Sequence, residues 1–144
     1  MGFSRGGLYS LELAIEHPNL FDAVILMAPA PGRDALEEAL DSPDLGNITA
    51  KVLVLVSAND RVCDEADHVM LAQDIANTLA DAKVDVCFQI LGAVPRPDCG
   101  HELFQTVDGY CEGVGDRCSC CRDMDTSDLC YWERVINFLD ENVR

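Results

Sequence analysis

Residues 52–60 read Val-Leu-Val-Leu-Val-Ser-Ala-Asn-Asp, and this stretch decides the class of fold. Five consecutive apolar residues, three of them β-branched, leave no polar face. A strand of that kind is buried on both sides, as in a parallel sheet covered by helices, whereas a half-exposed strand would alternate. Two further runs match it: Ala23–Met27, closed by Ala28-Pro29-Ala30-Pro31-Gly32, and Val84–Leu91, closed by Gly92. Helical patterns separate the runs. Leu8, Leu11 and Ile15 follow helical spacing, and Pro18 ends that helix. Ala72, Ile75, Ala76 and Leu79 form a stripe at i, i+3, i+4, i+7, and Trp132, Val135, Ile136 and Leu139 form another, with Ser127 or Asp125 as its candidate cap. One short helix fits Ala35–Leu40. This alternation predicts an α/β domain over residues 1–144, built on a parallel sheet of about three strands with flanking helices.

Composition narrows the function. The 144 residues suffice for one domain with a real core. Twenty-six acidic against ten basic residues give a net charge of −16, which repels phosphate and argues against nucleic acid and anionic membrane as partners. No apolar run approaches the roughly 20 residues of a membrane span. No signal-peptide pattern opens the chain, which reads as cytoplasmic; secretion is the alternative if the true N-terminus lies upstream and the cysteines are oxidised. Eight cysteines are many for a cytosolic enzyme. Residues 105–128 are polar, rich in Gly, Asp and Cys, and lack a periodic apolar face, so they read as a long inserted loop. Five cysteines gather in or beside it: Cys111, Cys118, Cys120, Cys121 and Cys130. Their spacing matches no paired Cys-x-x-Cys arrangement and no His joins them, which favours disulfides or free thiols over a metal site. No metal or other cofactor is expected. Cys87 reads as a small core residue, and a bridge from Cys99 into the insert would anchor the neighbouring His101.

The chemistry lies at the turns. Near the N-terminus, Gly2-Phe3-Ser4-Arg5-Gly6-Gly7 contains a Gly-x-Ser-x-Gly pattern just ahead of the first helix. A serine hydroxyl is a weak nucleophile and needs a base, usually His, which in turn needs a carboxylate to orient it. On a sharp strand-to-helix turn, the flanking positions Gly2 and Gly6 have room for no side chain. The helix then aims its first N–H, that of Arg5, at a developing oxyanion. Parallel sheets place such residues beyond the C-terminal ends of their strands. Asp60 lies past the Val52–Val56 run, and His101 past the Val84–Leu91 run in Pro97-Asp98-Cys99-Gly100-His101. Ser4, Asp60 and His101 therefore occur in the order Ser, Asp, His. Asp64 and Asp67 compete for the acid but sit nearer the next helix, where an Asp serves its N-terminal charge. His68 starts that helix, and His17 ends the first one.

From Gly2 to Leu103, and again over the final helix, the chain resembles the C-terminal half of an α/β-hydrolase. Gly2–Gly7 is similar to the nucleophile elbow of that family, Asn59-Asp60-Arg61-Val62 to its acid turn, and Gly100-His101-Glu102-Leu103-Phe104 to its histidine loop. Within the superfamily it looks most like dienelactone-hydrolase-like and chlorophyllase- or cutinase-like esterases. The resemblance implies Ser4 as nucleophile, Asp60 as orienting acid and His101 as general base, acting on a small-molecule ester. Many relatives insert a lid after the Ala23–Met27 strand. Only about twenty residues stand here, so an open site is expected.

The strands that precede the elbow in this family have no counterpart before Gly2. The chain therefore reads as the C-terminal part of a longer serine hydrolase, or a truncated product of weak activity, with no strand ahead of Ser4. The second oxyanion donor would be missing, a loss worth on the order of 10²–10³ in rate. A raw sheet edge beside Ala23–Met27 would invite self-association. The competing expectation is a non-catalytic α/β binding module derived from a hydrolase. A phosphate cradle in Gly2–Gly7 is disfavoured, because that loop has no Lys and its surroundings are acidic.

Overall fold

The structure is a computed structural model that describes residues 1–29, 33–58, 60–62, 66–92, 104 and 131–143. Four strands form one parallel sheet in the order β1 (Gly2–Phe3), β2 (Ala23–Met27), β3 (Lys51–Ser57) and β6 (Val86–Leu91). Helix α1 (Arg5–Glu16) connects β1 to β2; α2 (Arg33–Leu40) and a single 3-10 turn (Leu45–Asn47) lie between β2 and β3. After β3 comes a two-stranded antiparallel hairpin, β4 (Arg61–Val62) with β5 (Ala66–Asp67), which leads into α3 (His68–Asp81). Helix α4 (Tyr131–Asn142) closes the described chain.

The apolar run Val52–Val56 is the centre of this arrangement. Val52, Leu53, Val54, Leu55 and Val56 are all fully buried. Their alternation sends Val52, Val54 and Val56 to one face, where they meet Leu8, Leu11 and Ala14 of α1 and Ala72, Ile75, Ala76 and Leu79 of α3. Leu53 and Leu55 point to the other face, onto Val135 and Phe138 of α4 and onto Phe104. Burial on both faces is the reason the run carries no polar residue. In α4 the face turned to the sheet is set by Val135, Phe138 and Leu139, while Ile136 is 53% exposed. The expected stripe through Ile136 and the observed one through Phe138 share two members, and the larger aromatic side chain took the buried position. The candidate caps Ser127 and Asp125, and the whole 105–128 insert, lie outside the described residues.

Two features differ from what the sequence leads one to expect. Among the described residues the sheet has four strands rather than about three, and a strand does precede Ser4: Gly2 pairs with Leu26 and Phe3 with Met27, parallel to β2. A two-residue strand carries no periodicity, so only the pairing reveals it. As a result β2 is interior, and the side expected to be a bare edge is covered by β1. The β4–β5 hairpin is likewise unexpected. No helix among the described residues is long and apolar enough to cross a membrane.

Helix α3 ends in a left-handed cap. Lys83 has φ 72°; its N–H bonds to the Ala80 carbonyl at 3.0 Å, and the Val84 N–H bonds to Leu79, also at 3.0 Å. This is the paired closure that usually uses glycine, because a Cβ in that conformation costs about 1–2 kcal/mol. Lys83→Gly is expected to stabilise the protein by up to about 1 kcal/mol once the greater freedom of glycine in the unfolded chain is subtracted. A higher urea midpoint at unchanged slope is the measurement that checks it.

Candidate functional site

Ser4 sits where β1 turns into α1, with φ 54° and ψ −122°. A non-glycine residue there is strained by something on the order of 1–3 kcal/mol, and such strain persists only where the surroundings hold it. The holding bonds are visible. The Ser4 N–H donates to the Met27 carbonyl at 2.9 Å, extending the β1–β2 pairing, and the Gly7 N–H donates to the Ser4 carbonyl at 2.9 Å, starting the helix. The hydroxyl makes no capping bond to its own helix, and the first turn of α1 carries no acidic residue. In a chain this acidic, the positive end of α1, including the Arg5 N–H, thus receives no countercharge from its own first turn.

The glycines around Ser4 play unequal parts. A Cβ on Gly2 would overlap the Gly6 carbonyl and lie 2.6 Å from Ser10 Oγ. That hydroxyl donates to the same Gly6 carbonyl at 2.9 Å, so strand and helix meet here with no space for a side chain. At Gly7 a Cβ would come 3.2 Å from Pro29 Cβ and 3.4 Å from the Gly2 carbonyl oxygen, which is tight. At Gly6 it would meet no described atom within 4 Å. Among the described residues the close packing therefore falls on Gly2 and Gly7, and a Cβ at Gly6 would meet none of them.

Asp60 follows β3 and is completely buried, its N–H bonded to the Ser57 carbonyl at 3.0 Å. Its Oδ1 lies 3.5 Å from Nδ1 of His68, itself only 5% exposed. The hairpin brings them together. Arg61 pairs with Asp67 and Val62 with Ala66, and one further step of that register sets Asp60 opposite His68. By its sequence neighbours alone His68 is only the start of a helix. The signal available was a short polar turn, Cys63-Asp64-Glu65, between two possible strand pairs, which is a hairpin spacing.

His101 lies outside the described residues, as do Asp64, the 105–128 insert and every cysteine except Cys87. Asp67 is in β5, and His17 is exposed at the end of α1. Phe104, three positions after His101, is described. It is 5% exposed and packs against Phe3, the residue before Ser4, with ring centroids 6.1 Å apart and planes at 32°. Cys87 is a free thiol on β6, where Gln89 Nε2 approaches its sulfur at 3.6 Å. It borders a polar cavity of about 360 Å³ between β6 and α4, near the exposed Lys51–Asp85 ion pair. No cluster of three or more metal-ligating side chains exists among the described residues.

Ser4 and Asp60 thus stand beyond the C-terminal ends of β1 and β3, separated by one intervening strand. The fold and its turns define an α/β protein with a strained serine on a strand-to-helix turn and a buried carboxylate at the same end of the sheet. Comparison with protein-family models, with curated proteins and with solved structures found no match to this chain.

Proposed function

We propose that the chain is a serine hydrolase that cleaves an ester, or a related acyl bond, through an acyl-enzyme. The observation that carries this reading is the backbone of Ser4, strained at φ 54° on a β1–α1 turn with its hydroxyl not used as a helix cap. A turn that only had to start a helix would adopt relaxed angles and spend the serine hydroxyl on an N–H of the first turn.

In the proposed reaction Ser4 Oγ attacks the carbonyl carbon while His101 takes the hydroxyl proton. The resulting oxyanion is held by the Arg5 N–H at the positive end of α1. Collapse of this tetrahedral species breaks the bond to the leaving alcohol, which receives the proton from His101. Water, deprotonated by His101, then attacks the acyl group and frees the acid and Ser4. Asp60 fixes the imidazole and stabilises its cation. Two strand spacings separate β1 from β3, roughly 9–10 Å, a gap that an imidazole hydrogen-bonded at both ends can bridge. The anchoring of Phe104 on Phe3 supports placing the histidine segment beside the elbow. With only α2 and one 3-10 turn described between β2 and β3, an open site for accessible esters fits better than a deep enclosed one.

A fluorophosphonate probe tests the reading. The folded chain is expected to gain one phosphonyl adduct, which peptide mapping places on Ser4. A folded chain that takes up no probe would overturn the assignment and favour a non-catalytic binding module.

A further inference from the structure

Ser4 has a strained neighbour. Ala28, the first residue after β2, has φ 43°, in a region that residues with a side chain rarely enter. It also directly precedes Pro29, a position where the backbone is normally extended. Such an angle persists only where the surroundings fix it. Ala28 is fully buried, in a cluster with Met27, Leu55 and Phe104 against which Phe3 packs. Its N–H donates to the Leu55 carbonyl at 2.7 Å. The sheet ladder stops there, because Pro29 has no N–H to offer a neighbouring strand.

What the turn accomplishes is visible at Gly7. Pro29 is buried, and its Cβ and Cα lie 3.2 and 3.3 Å from where a Cβ on Gly7 would stand. The proline therefore rests on the first turn of α1, at the residue whose N–H holds the Ser4 carbonyl at 2.9 Å. One position before Ala28, the Met27 carbonyl accepts the Ser4 N–H, also at 2.9 Å. Ser4 is thus held at its N–H by the last residue of β2, and at its carbonyl through a helical turn backed by Pro29. Extended backbone at Ala28 would carry Pro29 onward along the strand, by roughly 3.3 Å per residue, instead of onto the helix.

We propose that Ala28-Pro29 is a brace for the nucleophile. Ala28 turns the chain out of β2, and Pro29 is a positioning residue that fixes the start of α1 and, through Gly7, the carbonyl end of Ser4. This role rests on the serine-hydrolase reading above, because only a reacting hydroxyl gives the placement of Ser4 a catalytic value. Proline suits the task, since its ring fixes φ and a push from α1 meets a stiff backbone.

The test uses the full chain and reads two quantities per folded molecule: kcat with p-nitrophenyl butyrate and the rate of fluorophosphonate labelling. Pro29→Gly removes both contact and stiffness. It is expected to lower both rates, by up to on the order of 10²-fold for a displacement near 1 Å, with KM little changed. Pro29→Ala keeps the Cβ that faces Gly7 and should recover part of that loss. Gly7→Ala, which drives a Cβ against the brace, should also lower both rates. It should cost much less in the Pro29→Gly background, where the obstacle is gone, since residues in contact are not additive. Unchanged kcat and labelling in Pro29→Gly would overturn the proposal, as would an equal cost of Gly7→Ala in both backgrounds. So would a fall in kcat with labelling unchanged, because a displaced Ser4 slows both. Should Pro29→Gly fail to fold, the same cycle is read with Pro29→Ala, whose freed φ lets the obstacle yield. A smaller cost of Gly7→Ala there supports the brace, and an equal cost overturns it. A folded native chain that takes up no probe brings down the nucleophile reading first, and the brace with it. A chain that labels normally but is indifferent to Pro29 refutes the brace alone.

Discussion

Ser4→Ala is expected to lower ester hydrolysis steeply, a loss that in a fully formed triad is on the order of 10⁶ in kcat. The size follows from what the hydroxyl does. Without it no acyl-enzyme forms, and His101 has no hydroxyl proton to take; what is left is the modest contribution of binding and of the Arg5 N–H. Alanine keeps the Cβ, so the strain at φ 54° is unrelieved and stability should be close to that of the native chain. Ser4→Gly makes the informative companion. It should be equally inactive yet more stable than Ser4→Ala, by up to about 1 kcal/mol, because glycine adopts a positive φ without steric cost. Activity lost in both variants, with stability gained in only one, would show that the strain serves the chemistry rather than the fold. Turnover of p-nitrophenyl butyrate and urea midpoints, measured on the same samples, give both readings. Equal turnover by Ser4→Ala and the native chain would end the nucleophile assignment.

The central strand was legible because five apolar residues in a row suit a segment covered on both faces and little else. The flanking helices were legible because their stripes follow a 3.6-residue period. What escaped was short or relational. Gly2–Phe3 is a strand only by virtue of its pairing with Leu26 and Met27, and no window of two residues has a period. The β4–β5 hairpin escaped for the same reason, and with it the approach of His68 to Asp60. His68 belongs to a helix by its own neighbours and comes opposite Asp60 by a register set several residues earlier. The Gly-x-Ser-x-Gly pattern coincides with the turn where Ser4 has φ 54°. The pattern presents Gly2 and Gly6 symmetrically, whereas the described turn is asymmetric: a Cβ at Gly2 would overlap the helix, while one at Gly6 would meet no described atom within 4 Å.

That asymmetry gives the second large effect. Gly2→Ala is expected to destabilise the protein by about 3 kcal/mol, the upper end of what overpacking usually costs, and to lower kcat by on the order of 10²-fold in whatever folds. The added Cβ would overlap the Gly6 carbonyl, which is backbone and cannot rotate aside as a side chain would. Relief requires α1 to move away from β1, and Ser4 is the hinge between them. Displacing α1 would lengthen the bond from Gly7 N–H to the Ser4 carbonyl and the bond from Ser10 Oγ to Gly6, both 2.9 Å. It would also turn the Arg5 N–H away from the oxyanion. Gly6→Ala, in the same motif, should do the opposite. A Cβ there meets no described atom within 4 Å, and the position is helical. Alanine in place of glycine in a helix is favourable by roughly 0.5–1 kcal/mol. Urea melts of the two variants should therefore move in opposite directions from the native midpoint. If both variants lose stability alike, α1 does not lean on β1 at Gly2 in the manner described, and the source of strain at Ser4 must be sought in β2 instead.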